Sequence, residues 1–500
     1  MIILLSVVLT FLSRFAYYLT FPFKNLDTDA VNHLLLVKAI RANHGRIPER
    51  IPKYLLDTND YPNGFHRVIA LLPFSIESLE KYGGLVPIIM DTAFAGLIGL
   101  YILLSGGKEH LWLLLFPFIR LLWGYEVRAF LFGERAFGVF FGNIYMASAL
   151  LFLQTHNPLW ALAALFGFVG FSTTSQFTWQ AVTFFTILLD VLLLKFDFIS
   201  VYLVCFALAA LITKGYSIKV LMGLIRHSYF YKTHILKTNW GIKHFYGDWV
   251  TVFKRLRATN LVNLLYENSL AKWVTNYPIS IPFLWIWAQT GFQWNALVVY
   301  SLCGLILLPI IATETFKFWG EPERYLEYCI LPTLLYLSFF PVSHHAFLYT
   351  VALLVGVSAV LFQLNLKRKF SKKEVELEND FDALETLLRE LPDSVILPIP
   401  LRVAYRPGYT LEKHRYVGNF INIGAGPYYK ELVELLPDHM GFPSKDLNSV
   451  IEKYKVDYLI LHKKYYGILD KKKLKGEPYY DFSSYTLTHD SGFFQCYKVT

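Results

Sequence analysis

Apolar runs close to the thickness of a bilayer dominate this chain, and they restrict what it can fold into. A spanning helix needs about 20 mostly apolar residues. Runs of that kind fall near 2–20, 84–104, 111–123, 136–154, 159–171, 180–194, 197–213, 279–291, 295–312, 328–340 and 345–364. They predict a polytopic α-helical membrane protein with about eleven transmembrane helices. Only 17% of the residues are charged, against about a quarter in soluble domains, so a water-soluble globule does not fit. The first run has no basic start and no small-residue cleavage site. It therefore reads as a span and not as a signal peptide.

Alternation of the spans sorts the loops. With Met1 cytoplasmic, residues 27–66, 124–135, 172–180, 214–278, 317–327 and everything after 365 fall on the outer side. The inner side receives only short links, one of them holding His344 and His345, which read as a solvated turn. Every loop that carries chemistry thus lands on one face, as a site built from several loops requires. The lysines and arginines argue the other way, since the outer loops hold most of them, but the positive-inside rule weakens in long loops. The net charge of +9 reads either as contact with anionic lipid or phosphate or as a mark of topology. The four cysteines show neither a disulfide framework nor metal-type spacing.

Two stretches depart from the spanning pattern. Residues 214–278 are aromatic and basic, and 244–265 suggest amphipathic helices lying in the membrane interface. They serve as an anchored connector or bind lipid phosphate. After Leu366 the composition turns charged, with an interfacial anchor expected over Lys367–Lys373. The chain then takes on a soluble pattern. We expect two domains, 1–366 in the membrane and 367–500 as a small soluble α/β domain. Strands are expected at 394–399, 456–461 and 493–499, and helices at 381–391 and up to Tyr454, the latter capped by Ser444. No Gly-rich nucleotide loop, no nucleic-acid signature and no serine or cysteine nucleophile arrangement is present.

The chemistry concentrates between Asn25 and Arg67. Asp29 and His33 stand four apart, which puts them on one face of a helix. A carboxylate at the membrane boundary can act as a general base on a hydroxyl or bind a metal. Asp27, Thr28 or Asp29 can equally cap the helix that follows. The loop closes on Asp60-Tyr61-Pro62 and His66. Elsewhere, Glu134 and Arg135 read as a local pair at a helix start. Arg324, within Glu321-Pro322-Glu323-Arg324-Tyr325-Leu326-Glu327, suits bidentate binding of phosphate or an ion pair with Glu323 or Glu327. Residues 172–180 form a polar loop that can line a cavity.

These residues resemble glycosyltransferases of the GT-C class, integral membrane enzymes that use lipid-phosphate-linked sugars. Asp29-Ala30-Val31-Asn32-His33 is similar to the Asp-Pro-x-x-His of oligosaccharyltransferase catalytic subunits, apart from the proline. Ala39-Ile40, His44-Gly45-Arg46-Ile47-Pro48, Asp60-Tyr61-Pro62 and Phe65-His66 look like the rest of that loop. The resemblance implies Asp29 as catalytic base, with Asp27 as the fallback. It implies substrate binding by His33, His66, Tyr61, Glu134, Arg135, Arg324 and Glu327. The donor would be a polyprenyl-phosphate-linked sugar and the acceptor a glycan, lipid or protein. The site would face the extracytoplasmic side of a plasma membrane, with no nucleic-acid partner.

Two departures matter. No Trp-Trp-Asp acceptor motif occurs in the C-terminal part. Where the class carries an Asp-x-Asp metal motif, this chain has only Glu126 and Glu134. Both argue against oligosaccharide transfer to protein, and the cofactor stays unknown, since no clear motif supports a divalent cation. The alternatives are a transporter or flippase of lipid-linked glycans and a non-catalytic assembly subunit. Transporters place ionisable groups near the midplane. Here such groups lie mostly in loops, with Arg14, Arg120 and Asp190 as exceptions.

Overall fold

The computed structural model describes the chain except for residues 20–27, 52, 57–60, 124–131, 237–272, 314, 419–427, 437–440, 468–478 and 500. At 28, 29, 317 and 366–380 it describes the backbone alone. The N-terminal helices are α1 (Ile2–Leu19), α2 (Thr28–Ala42), α3 (Gly64–Leu71), α4 (Ile76–Tyr82) and α5 (Leu85–Leu104). Next come α6 (Arg135–Thr155), α7 (Pro158–Thr174), α8 (Gln176–Leu193), α9 (Asp197–Ile212) and α10 (Tyr216–Phe230). The amphipathic helices expected at 244–265 lie outside the described residues; beyond them follow α11 (Ser280–Gln289), α12 (Ala296–Ile311), α13 (Ile330–Leu337) and α14 (Ala346–Glu390).

Among the described residues, five helices are long and apolar enough to cross a membrane: α1, α5, α6, α8 and Val342–Asn365. A sixth is added if α9 and the helix after it, bent by 116° at their junction, count as one span. α7 and α12 are apolar but shorter. Two expected runs are not single α-helices. The 111–123 run folds as two 3-10 pieces, His110–Phe118 and Arg120–Trp123, with Pro117 inside the first. Proline lacks the N–H an α-helix interior needs. The 328–340 run is divided between the 3-10 segment Pro322–Cys329 and α13. Eleven full-length spans are therefore not reached among the described residues.

Sequence detail explains the tight turns and close packing. His156 takes a left-handed conformation (φ 56°) at the end of α6. Asn157 Oδ1 then accepts from Leu159 N–H at 3.0 Å, and Pro158 occupies the first position of α7, where its missing N–H costs nothing. α7 folds back onto α6 so closely that a Cβ at Gly167 would lie 2.5 Å from Tyr145 N. A Cβ at Gly138 would clash with Ser175 and Thr178, which brings α8 equally close. Small residues of this kind set the contact distance where lipid offers no hydrophobic drive between helices.

α1 is tied to α5 by a buried ion pair, Arg14 Nε to Asp91 Oδ2 at 3.7 Å. Arg14 also donates to Pro117 O at 3.1 Å and stacks over Trp123, 4.2 Å from its ring centre. The outward faces of α9 (Leu203, Val204, Leu208, Leu211) and α14 (Phe347, Leu354, Leu361) are exposed and apolar, as a lipid-facing surface is.

The C-terminal part is built on a five-stranded sheet of order β2-β1-β3-β5-β4. The strands are β1 (Val395–Ile399), β2 (Arg415–Tyr416), β3 (Tyr458–His462), β4 (Thr486–Asp490) and β5 (Phe494–Lys498). β1, β2 and β3 are parallel, and β5 runs antiparallel to β3 and β4. The three apolar strands expected from sequence are β1, β3 and β5. β2 is too short to show a period, and β4 is an exposed polar edge strand. The helix Leu447–Tyr454 is capped by Asp446, which accepts from Ser449 N–H at 3.1 Å, and not by Ser444.

α14 runs unbroken through residue 366, where the composition shifts, for about 68 Å at 1.5 Å per residue. It reaches the sheet domain, where Arg406 pairs with Asp382 and, at 2.9 Å, with Glu385.

The first loop also reaches the sheet. Tyr416 N–H donates to Lys53 O (2.8 Å), Leu55 N–H to Tyr416 O (3.1 Å) and Leu56 N–H to Gly418 O (2.9 Å). A parallel bridge between Tyr54 and Tyr416 results, so the loop covers the open edge of β2. Lys53 Nζ donates to Leu411 O (2.9 Å), and Lys38 pairs with Glu412 (2.8 Å).

Candidate active site

α2 carries the first group. Its apolar positions Ala30, Val31, Leu34, Leu35 and Val37 are buried, and His33 is buried among them. Asp29 lies in the first turn of α2, one turn before His33. Its side chain, and the whole of Asp27 and Asp60, lie outside the described residues.

Three other segments converge on His33. α3 brings His66, which is fully buried. The residue before α6 brings Glu134, and the loop before α3 brings Tyr61. His33 Nδ1 lies 2.8 Å from His66 Nε2, and His33 Nε2 lies 3.0 Å from Glu134 Oε2. Tyr61 O–H donates to Glu134 Oε1 at 2.5 Å. The two imidazoles stack 5.0 Å apart, with Phe65 edge-on to both. Gly133 gives room for this, since a Cβ there would press on the His33 ring at 3.3 Å.

The Tyr61 loop is pinned to α10. Asn63 N–H donates to the Tyr216 hydroxyl at 2.7 Å, which donates to Tyr61 O at 3.2 Å.

Burial alone would push the Glu134 carboxyl up. His33 beside it and the hydrogen bonds from His33 and Tyr61 outweigh burial and bring it down to about 2. Burial first, and His33 second, push the His66 imidazole well below its usual value. At neutral pH the cluster therefore holds an ionised carboxylate and a neutral His66.

Arg135, next in the chain, faces the other way and pairs with the fully buried Glu327. Glu134 and Arg135 were expected to read as a local pair. Instead they divide two clusters between them. Arg135 lines a small cleft with Arg120, Leu121, Asn276, Glu321, Glu323 and Gln363. Arg120 is held rigidly, with Nη1 on Asn276 Oδ1 (3.1 Å) and Nη2 on Gln363 Oε1 (3.0 Å). Arg324 pairs with Glu321 at 2.6 Å beside this cleft and packs over Phe177.

The structure thus joins Tyr61, His33, His66 and Glu134 in one cluster, and Arg135 with Glu327 in a second. Arg120 was noted in the sequence only as an ion inside an apolar run. Its partners Asn276 and Gln363 gave no sequence signal. Among the described residues, no group of three His, Cys, Asp or Glu side chains could hold a metal ion. His33 illustrates why, since its two ring nitrogens face different partners and share no common point.

No family model and no curated sequence matches the chain. Solved structures do. The apo Archaeoglobus fulgidus oligosaccharyltransferase superposes with a TM-score of 0.58 at 12% identity, over 93% of this chain and 71% of that one. The same enzyme tethered to an acceptor peptide containing the NVT sequon gives 0.58 at 13% identity, over 93% and 70%. ArnT from Cupriavidus metallidurans, bound to undecaprenyl phosphate, gives 0.55 at 11% identity, over 99% of this chain and 97% of that one. The chain has the GT-C fold. At such identities the likeness is one of backbone, and its coverage of 93–99% of this chain takes in the C-terminal sheet as well as the helices.

Proposed function

We propose that the protein is a membrane glycosyltransferase. It transfers a sugar from a polyprenyl-phosphate-linked donor to a glycan, lipid or protein acceptor at the extracytoplasmic face. The observation that carries this reading is the GT-C fold over nearly the whole chain, shared with a structure described as bound to undecaprenyl phosphate. The start of α6 supports it by meeting two polar segments, the first loop through Glu134 and the 321–327 segment through Arg135. Asp29, one turn before His33, is the general base on the acceptor hydroxyl, with Asp27 as the fallback. The lipid phosphate leaves beside Arg120 and Arg135, with Arg324 at the margin, because guanidinium groups already fixed by side-chain partners need no reorganisation to stabilise developing charge. Tyr61 and the histidines shape the acceptor side, and Glu327 holds Arg135 on the phosphate side.

A transporter is less well supported. The charged groups inside the helices have structural partners: Arg14 is paired with Asp91, and Asp190 accepts from Phe198 N–H (3.1 Å) and Ile199 N–H (2.7 Å) at the start of α9.

The test is release of lipid phosphate by purified protein incubated with labelled polyprenyl-phosphate sugars. Asp29→Asn is expected to lower turnover by at least about a hundredfold with folding intact. Full turnover in Asp29→Asn moves the base to Asp27, and no turnover in the wild type with any donor overturns the enzyme reading.

A further inference from the structure

The Glu134, His33 and His66 side chains form a linear chain with a direction. Glu134 is ionised and can only accept hydrogen bonds, so His33 Nε2 must carry a proton toward it. Tyr61 fills the other carboxylate oxygen. His33 Nδ1 then meets His66 Nε2 at 2.8 Å with a single proton between them. The far nitrogen, His66 Nδ1, is buried and has no hydrogen-bond partner among the described residues.

With both imidazoles neutral, His66 Nε2–H donates to His33 Nδ1. A proton added at His66 Nδ1 lets the Nε2 proton move across to His33. The positive charge then rests on His33, between the Glu134 carboxylate and a neutral His66. Left on His66, it would face Phe65, the Tyr61 ring and a neutral imidazole. The carboxylate therefore draws the charge to the His33 end.

We propose that this chain is a proton relay serving the transfer step, in which the acceptor's proton comes to rest on His33 against Glu134. The proposal rests on the glycosyltransferase reading and deepens it. As the acceptor oxygen bonds to the anomeric carbon, the carbon–oxygen bond to phosphate breaks and its electron pair leaves with the lipid phosphate. The hydroxyl proton passes to the catalytic carboxylate and from it to His66 Nδ1, the open end of the imidazole pair. The relay is emptied to solvent before the next turnover. His33, His66 and Glu134 act through Asp29 and are positioning residues. Among the described residues, the titratable groups facing His66 are His33, Glu134 and Tyr61. A low pKa of His66 agrees with charge residing on its neighbour.

His66→Gln tests this, since the amide can still donate to His33 Nδ1 but cannot take up a proton. The relay predicts kcat down by roughly a hundredfold, KM unchanged, the acid limb of the kcat–pH profile shifted and the melting temperature within a few degrees of wild type. An unchanged kcat–pH profile overturns it, and so does a loss of kcat that only follows a loss of folded protein. ¹⁵N-histidine NMR of the intact wild-type protein is a second arm that needs no turnover. The relay requires His33 to gain its second proton while His66 stays neutral as pH falls. His66 charging first overturns the relay even if the protein is an active transferase. A wild type inactive with every donor overturns the transferase reading, and the NMR arm still decides whether the imidazole chain conducts as described.

Discussion

Glu134 and Arg135 are adjacent in sequence yet serve different clusters, and each makes a measurable prediction. The Glu134 carboxyl sits below its usual 4.5, at about 2. Its contribution to stability is therefore present above pH 4.5 and lost as pH falls toward 2, by a few kcal/mol. His66 is held below its usual 6.5. The unfolded chain takes up that proton first, so stability also begins to fall as pH drops through 6.5. Thermal melts of purified protein should show both steps, and Glu134→Gln should remove the lower one. Arg135→Met should cost about 3–5 kcal/mol by leaving Glu327 charged and buried, while Arg135→Met combined with Glu327→Gln should recover much of that. A melting temperature unaltered in the single variant would contradict the pairing. Part of the site is readable from the sequence, because His33 and His66 lie in one polar loop between apolar runs. Arg120 is not, because its partners Asn276 and Gln363 stand more than 150 positions away and only folding brings them to it.

The elements around the site depend on local chemistry that the sequence shows unevenly. The apolar blocks at 2–20, 84–104 and 136–154 became α1, α5 and α6 within a residue or two, since a long apolar run in a helix-forming composition has few other outcomes. The 111–123 block was as apolar, but it folds as two 3-10 pieces, with Pro117 inside the first. β1 and β3 were legible as short apolar runs, whereas β2 has two residues and is fixed by its neighbours. One of those neighbours is the first loop. Leu55→Pro would remove the N–H that bonds Tyr416 O at 3.1 Å, at a cost of roughly 1 kcal/mol or more. Hydrogen exchange at 415–418 is expected to speed up while β3 and β5 stay protected. Unchanged exchange would mean that the loop does not hold the sheet edge.

The molecule as a whole is tied together at its two polar seams. The first loop runs from α2 to the edge of β2, and α14 delivers Asp382 and Glu385 to Arg406. We therefore expect the sheet domain and the helices to unfold in one cooperative transition, read by calorimetry together with limited proteolysis of the sheet. Two separated transitions would show that the seams carry little energy. Composition announced a charged stretch after Leu366 and a soluble pattern beyond it, but not that an uninterrupted helix would cross that point.

The Arg14–Asp91 pair bears on how the protein is made. A lone arginine in mid-helix costs about 2.5–3.5 kcal/mol to insert, and α1 leaves the ribosome long before Asp91 exists. Until α5 is made, that cost stands uncompensated, so the pair couples the stability of the first span in the bilayer to the synthesis of a helix about seventy residues later.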